Sequence, residues 1–161
     1  MNPTKFLIPV PERRHALVES ILQKTDKAPL NVSIVAGRAR EVLKQADAAF
    51  VASGTATLEA ALLHCPTVLV YRASFLNYLF ARALIRIPWL GIANIVSGRE
   101  IMPERIQQHI RPLELAVTID PLMNDTPLRA AMIENLKALE KMLGTGRPAG
   151  RVAAIIAEEI G

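Results

Sequence analysis

Short apolar segments alternate with amphipathic segments over the first two thirds of the chain, and this alternation restricts the possible folds more than any other feature. Such a rhythm, with short connections, predicts an α/β fold: a Rossmann-like parallel sheet flanked by helices. The predicted strands are residues 6–10, 31–35, 48–52, 66–71 and 92–96, and the helices between them are residues 11–24, 38–45, 55–64 and 74–87. Pro9 inside the first strand indicates a strand end or a sheet edge.

Helical patterns replace the alternation after residue 102. The predicted helices there are residues 103–109, 112–122, 126–143 and 148–160, and Thr126-Pro127 has the N-cap and first-turn proline of a helix start. With 161 residues the chain is long enough for one domain with a sound core. We therefore expect a single domain over residues 1–161, with an α/β core to about residue 102 and a helical tail over 103–161.

Composition excludes several classes of protein. The single cysteine, Cys65, excludes an internal disulfide and a cysteine metal cluster, and the three histidines lack metal-ligand spacing. No apolar run approaches the ~20 residues of a membrane span, and no secretory signal is expected, because the first apolar run is soon followed by Glu12-Arg13-Arg14. The net charge of +4 suits an anionic partner without choosing among nucleotide, membrane and nucleic acid.

The segment Ser53-Gly54-Thr55 lies where the third predicted strand runs into a helix. Two hydroxyls and a flexible glycine suit a helix start, and free amides at a helix N-terminus favour an anion, most often phosphate. Glu59 lies one turn further on, on the same face as Thr55. A carboxylate there can accept two hydroxyl hydrogen bonds from a sugar diol. Phosphate beside ribose predicts a nucleotide.

Glu59 has no local structural partner in the sequence. A capping box would need Ser or Thr at position 56, which is Ala56. A helix ion pair would need Lys or Arg three or four residues away, and none is there. A nucleotide-binding role is favoured over that of an ordinary solvated glutamate.

Other residues are predicted to share one crevice with this loop, because ligands of parallel sheets lie beyond the carboxyl ends of strands. They follow the other predicted strands and are Ala36-Gly37, Arg72 and Ser97-Gly98-Arg99.

A basic, aromatic and apolar surface is predicted over residues 71–90. This region contains Arg72, Arg82 and Arg86 and no Asp or Glu. It suits contact with an anionic membrane surface, and a core helix whose arginines extend to solvent is an equally good interpretation. Three other patterns lack the context they need. Gly144–Gly150 lacks a preceding strand for a dinucleotide site, Ser53 lacks the hydrolase elbow motif, and no lysine gives Gly54 a P-loop.

Three segments resemble lipid-A-disaccharide synthase, over nearly the whole chain. They are residues 52–61 (ASGTATLEAA), Pro66 followed by Tyr71-Arg72, and residues 92–104 (IANIVSGREIMPE). The first is shared loosely with other nucleotide-sugar glycosyltransferases, and the last is much more specific.

The resemblance implies the C-terminal, UDP-sugar-binding half of a GT-B glycosyltransferase of lipid A (lipopolysaccharide) biosynthesis. Its implied reaction is inverting transfer of 2,3-diacylglucosamine from UDP to 2,3-diacylglucosamine 1-phosphate, with no metal or other cofactor. By position, Ser53, Gly54 and Thr55 would hold the diphosphate and Glu59 the ribose. Asn94 would lie at the donor pocket and Ala36-Gly37 near the uracil, with Arg72 and Arg99 as charge partners of the diphosphate.

The resemblance also implies a missing part, namely the N-terminal domain and the strand and loop that open the C-terminal domain. We therefore expect the chain to bind UDP or UDP-2,3-diacylglucosamine but to be inactive alone, and we assign no catalytic residue. Its expected location is cytoplasmic, peripheral on the inner face of the inner membrane. Its expected partners are a separately encoded N-terminal domain and a second copy in a homodimer, and no nucleic acid. The alternatives are a UDP-sugar epimerase-like domain and a non-catalytic membrane-surface or interaction module.

Overall fold

A computed structural model describes residues 4–25, 31–74 and 88–144. The strands are β1 (Phe6–Val10), β2 (Val32–Ala36), β3 (Ala49–Ala52), β4 (Thr67–Tyr71) and β5 (Glu104–Ile106). The helices are α1 (His15–Gln23), α2 (Ala39–Gln45), α3 (Thr55–Leu62), α4 (Ile92–Ser97), α5 (Pro112–Met123) and α6 (Pro127–Leu143), with 3-10 turns at Glu12–Arg14 and Gln107–His109. The predicted helices at 74–87 and 148–160 lie outside the described residues, apart from Ser74.

All strand pairs of the described chain are parallel, and they form two separate sheets. β1 pairs with β2, and β4 lies between β3 and β5. Helices connect the strands on the faces, so the predicted α/β architecture is confirmed. β4 is apolar on both faces because it is covered on both, and Val68 and Leu69 are fully buried. Among the described residues β1 is an edge strand, as Pro9 predicted.

The core lies between the β3–β4–β5 sheet and the C-terminal helices. Its fully buried side chains include Ala60 and Ala61 of α3 and Leu136 of α6, with Leu139 nearly so. α6 begins as predicted, because the Thr126 side chain accepts a hydrogen bond from the Arg129 amide at 3.1 Å. Burial of this helix face against α3 fixes the position of α3 and hence of the loop that precedes it.

The predicted strand at residues 92–96 is wrong, since this segment is the helix α4. Its β-branched residues favour a strand locally, but it buries Ala93 and Asn94 on one side, as a short helix can. Gly98, with φ of 64°, ends the helix in the left-handed conformation.

The third strand of the larger sheet comes instead from Glu104–Ile106, where a helix over 103–109 was predicted. The Leu69 amide donates to the Pro103 carbonyl at 2.9 Å, which joins this strand to β4. It lies past residue 102, where the α/β core was expected to end. Three residues are too few for a sequence pattern to identify a strand.

Candidate nucleotide site

The loop between β3 and α3 leaves the first amides of α3 without a capping side chain. Gly54 occupies the N-cap position with φ of 136°, a conformation that favours glycine, and no side chain of the described residues caps the helix. The Gly54 carbonyl accepts hydrogen bonds from the Thr57 amide and hydroxyl at 3.1 and 2.7 Å. The Thr55 and Ala56 amides belong to the first turn and therefore have no intrahelical acceptor. Both residues are exposed. Uncapped amides at a helix N-terminus favour an anion, so the predicted diphosphate contact of this loop stays a prediction.

Ser53 does not cap the helix. Its hydroxyl instead donates to the Leu90 carbonyl at 3.4 Å, a long bond that ties the loop to the segment before α4. Sequence favoured Ser53 as part of the helix start, but the capping position belongs to Gly54. The predicted contact of Ser53 with a diphosphate stays a prediction.

Glu59 has an ionic partner that no local rule could find. Its Oε1 lies 3.7 Å from Nη1 of Arg40, which belongs to α2, and the two side chains are 39% and 73% exposed. An exposed pair at this separation contributes little to stability. The Glu59 carboxylate is therefore accessible and loosely held, one turn from the open amides of α3.

The Ala36-Gly37 turn lies at the carboxyl end of β2. Gly37 has φ of 70°, and its amide donates to the Val10 carbonyl at 2.8 Å, so the ends of β1 and β2 are joined there. Arg40 lies in α2, the helix that follows this turn, and its ion pair with Glu59 links α2 to α3.

Asn94 is buried and completely hydrogen-bonded. Its Oδ1 accepts from the amides of Ile101 and Met102 at 2.8 and 2.9 Å. Its Nδ2 donates to the Met102 carbonyl and to Glu104 Oε1, both at 2.8 Å. These bonds give Asn94 an internal role that fixes α4 against the chain entering β5. Its contact with the donor sugar, which the family resemblance implies, stays a prediction.

Glu104 organises the chain next to this loop, and sequence reasoning did not single it out. Its carboxylate accepts from the Leu90 amide at 2.9 Å, from the Gly91 amide at 2.9 Å and from Asn94. Since the Leu90 carbonyl accepts from Ser53, Glu104 is linked through one residue to the loop before α3. The only sequence signal was its place in the 92–104 segment.

Gln107 holds the exit of β4 in a similar way. Its side-chain amide exchanges two hydrogen bonds with the Ala73 backbone, at 2.8 and 3.2 Å. Arg72 precedes Ala73 and is exposed at the carboxyl end of β4, where the sequence placed it.

Arg99 follows a helix rather than a strand, and its Nη2 donates to Asn135 Oδ1 of α6 at 2.7 Å. The roles of both arginines toward a diphosphate stay predictions.

Other features of the described residues carry less functional information. Burial raises the pKa of the Cys65 thiol, which suits an inert core side chain. Residues 4–25, 31–74 and 88–144 contain no group of three or more metal-ligating side chains. In those same ranges no helix is both long enough and apolar enough to cross a membrane. A depression of about 450 Å³ at the start of α6, beside Thr126 and Ile133, contains none of the predicted site residues.

Comparison with known proteins identifies the family. A sequence model of the family described as lipid-A-disaccharide synthetase matches residues 2–147. The chain belongs to this family. Lipid-A-disaccharide synthases of Anaeromyxobacter dehalogenans (strain 2CP-C) and Sodalis glossinidius are 39% and 35% identical to it, over 92% and 89% of this chain. That of Azotobacter vinelandii is 41% identical over 76% of the chain.

The chain spans about two fifths of the length of these synthases. The matched region is 39% of the Anaeromyxobacter dehalogenans protein and 37% of the Sodalis glossinidius protein. The family resemblance drawn from the ASGTATLEAA and IANIVSGREIMPE segments is therefore confirmed.

Proposed function

We propose that this chain is the donor-binding part of a lipid-A-disaccharide synthase. In this proposal the complete enzyme transfers 2,3-diacylglucosamine, with inversion, from UDP to 2,3-diacylglucosamine 1-phosphate. The single observation that carries the proposal is the uncapped start of α3, whose Thr55 and Ala56 amides open onto the carboxyl edge of the sheet. Membership of the synthase family supports the diphosphate of a UDP-sugar as this anion.

The diphosphate of the donor would accept hydrogen bonds from the α3 amides, and Glu59 would accept from the ribose hydroxyls. As the glycosidic bond of the donor breaks, negative charge develops on the departing UDP. Amides aimed at that charge stabilise it without reorganisation, and the α3 dipole has the same sign of effect. Arg72, exposed beyond β4, would add a positive charge on the same edge.

The acceptor site and the catalytic base belong, in this proposal, to the part of the synthase that the chain does not span. The isolated chain then binds UDP weakly and turns over no donor. Disaccharide formation by the purified chain alone would contradict this, whereas activity restored by the rest of the enzyme would support it. A homodimer and contact of residues 71–90 with the inner face of the inner membrane are further parts of the proposal, and residues 75–87 of that surface lie outside the described structure.

Calorimetry with UDP and with uridine tests the two halves of the site separately. Glu59→Gln should weaken both ligands about tenfold or more, since a hydrogen bond to a charged group is worth ~1.5–3 kcal/mol. Thr55→Pro should weaken UDP but not uridine, because proline fits the first helical position and removes one amide donor. Unchanged UDP affinity of Glu59→Gln would refute the ribose contact.

Arg40→Gln is the matched control. It removes the same ion pair as Glu59→Gln but leaves the carboxylate in place. UDP affinity should stay within about fivefold of the wild type, because an exposed ion pair contributes only ~0.2–1 kcal/mol. A loss as large as that of Glu59→Gln would mean that the pair, and not the carboxylate, supports binding. Absence of UDP binding in the wild type would favour the non-catalytic module.

A further inference from the structure

The strand register places Arg72 beside the start of α3. In the parallel β3–β4 pair the last matched residues are Ala52 and Val70. Continued by two positions along each strand, the register makes Gly54 level with Arg72, and neighbouring strands lie about 4.8 Å apart. Gly54 is the N-cap of α3. The backbone of Arg72 therefore leaves β4 next to the uncapped amides of that helix.

The register of the β4–β5 pair places Gln107 on the other side of Arg72. This ladder ends with Tyr71 opposite Ile106, so the next residues, Arg72 and Gln107, are level with each other. Gln107 does not continue the strand, because its φ is 54°, in the left-handed region that residues other than glycine seldom adopt. Its backbone turns there into the 3-10 turn Gln107–His109 and leaves the sheet.

The Gln107 side chain continues the pairing that its backbone leaves. Its Oε1 accepts from the Ala73 amide at 2.8 Å, and its Nε2 donates to the Ala73 carbonyl at 3.2 Å. One side-chain amide thus bonds both backbone groups of the residue that follows Arg72. Since β4 ends at Tyr71, this clamp fixes the chain just beyond the strand, on the far side of Arg72.

Arg72 keeps its charge available at this edge. Its side chain is exposed, and within residues 4–25, 31–74 and 88–144 no carboxylate lies within ion-pair distance of it. Other exposed arginines, such as Arg38, Arg40 and Arg111, lie 3.7–3.9 Å from a carboxylate. A guanidinium presents several N–H donors in a planar fork that matches phosphate oxygens. Arg72 is therefore suited to an anionic ligand held at the start of α3.

We propose that Gln107 is a positioning residue for donor binding, because it fixes the backbone from which Arg72 meets the diphosphate. This inference rests on the proposed function, which supplies the diphosphate. A backbone that is ordered in advance lowers the entropic cost of immobilising the arginine on its ligand. The left-handed conformation of Gln107 supports the proposal, since strained non-glycine residues occur preferentially at functional sites.

Two variants of Gln107 remove the clamp in different ways. Gln107→Met has a side chain of similar length without an amide. Gln107→Asn keeps an amide that is one methylene shorter, and asparagine tolerates the left-handed conformation, so this variant retains the backbone. In both variants the Ala73 amide should exchange with solvent about tenfold faster or more, because its hydrogen-bond acceptor is lost.

Calorimetry of the full chain with UDP and uridine then tests the proposal through a double-mutant cycle. Arg72→Gln should weaken UDP by about tenfold or more, since charge-assisted hydrogen bonds to phosphate are lost, and leave uridine unchanged. Each Gln107 variant should weaken UDP by about three- to tenfold, the cost of ordering one long side chain, and also leave uridine unchanged. In the Arg72→Gln background the Gln107 variants should change UDP affinity by less than about twofold, because the clamp then has no cation to position.

Gln108→Met is the matched control. Gln108 lies in the same 3-10 turn, is exposed, and shares a hydrogen bond of 3.4 Å with His109 instead of holding β4. Its substitution should leave the affinities for UDP and uridine within about twofold of the wild type, as expected for a surface change. Exchange of the Ala73 amide should also be unchanged.

Several outcomes would overturn the proposal. These are unchanged UDP affinity in Arg72→Gln or in the Gln107 variants, unchanged exchange of the Ala73 amide, and an equal loss of UDP and uridine, which indicates a general loss of structure. A loss of UDP affinity of the same size with and without Arg72 would also overturn it, since the clamp would then act through another group.

The inference and the proposed function fail in distinguishable ways. Absence of UDP binding in the wild type would overturn both. UDP binding that Glu59→Gln weakens and Gln107→Met leaves unchanged would overturn the inference alone. UDP binding that depends on Gln107 and Arg72 as expected, but not on Glu59, would support the inference and refute the ribose contact.

Discussion

Asn94 and Glu104 organise the region around the candidate site at the scale of single residues. One buried amide and one carboxylate bind five backbone groups, from Leu90 and Gly91 before α4 to Ile101 and Met102 after it. Such a network is stable only when every member is satisfied, because an unpaired polar group is costly in a low-dielectric interior. Asn94 therefore fixes the backbone on both sides of α4, because both polar atoms of its side chain are already hydrogen-bonded.

Truncation of this amide should be strongly destabilising. We expect Asn94→Ala to lower the free energy of unfolding by about 3 kcal/mol, since each buried group left unsatisfied costs ~1–3 kcal/mol. Urea denaturation measures this. Asn135→Ala is the matched control, because its amide is bonded to exposed Arg99, and it should cost at most about 0.5 kcal/mol. Equal effects of the two variants would contradict the structural role of Asn94.

Glu59 shows a limit of sequence reasoning at the same scale. The absence of a partner at helical spacing was correct, and it made Glu59 a candidate for ligand binding. The structure supplies Arg40 from a different helix, α2. A partner brought near by tertiary structure cannot be found by i, i+3 or i, i+4 rules.

At the scale of elements, α4 depends on close packing at its start. Gly91 precedes the helix with an ordinary φ of −76°, so its backbone does not require glycine. A Cβ there would lie 2.8 Å from Leu69 Cδ1 and 3.2 Å from Glu104 Oε1. The close approach of three segments, and not a special turn, is what excludes a side chain.

Gly91→Ala should therefore lower the free energy of unfolding by about 1–3 kcal/mol, the usual cost of overpacking. Leu69→Val removes the atom that would clash, so the double variant should cost less than the sum of the two single variants. A double-mutant cycle from urea denaturation measures this coupling. Strict additivity would show that the cost of Gly91→Ala comes from elsewhere.

At the scale of the whole molecule, stability is concentrated in one half. The buried core runs from Leu43 through α3, β4 and α4 to α6, whereas Val10 is the one hydrophobic residue of β1, α1 and β2 that is buried. Leu17 and Ile21 of α1 are about half exposed, at 50% and 54%. The β1–α1–β2 unit thus has little apolar burial of its own.

Amide exchange should report this difference within the isolated chain. The ladder amides of Ile8 and Val35 should exchange at least ~10-fold faster than those of Val51 and Leu69, because segments with few buried contacts open at lower free energy. Exchange resolved by residue at neutral pH measures the ratio. Equal protection would mean that the β1–β2 sheet and the β3–β4–β5 sheet unfold as one cooperative unit.

The sequence by itself determined the fold class, four of the five strands, and the place of the Ser53-Gly54-Thr55 loop at a strand-to-helix junction. These follow from hydrophobic periodicity and from glycine and proline positions, which act over a few residues. Residues 52–61 and 92–104 of the sequence also indicated the family, which the family model confirms.

Only the tertiary structure decided three other matters. It made residues 92–97 a helix, because burial of Ala93 and Asn94 outweighs local β-propensity. It paired three residues after Pro103 with β4, and it separated β1 from β3. Each depends on contacts between segments far apart in the chain, and such contacts leave no periodic signal along it.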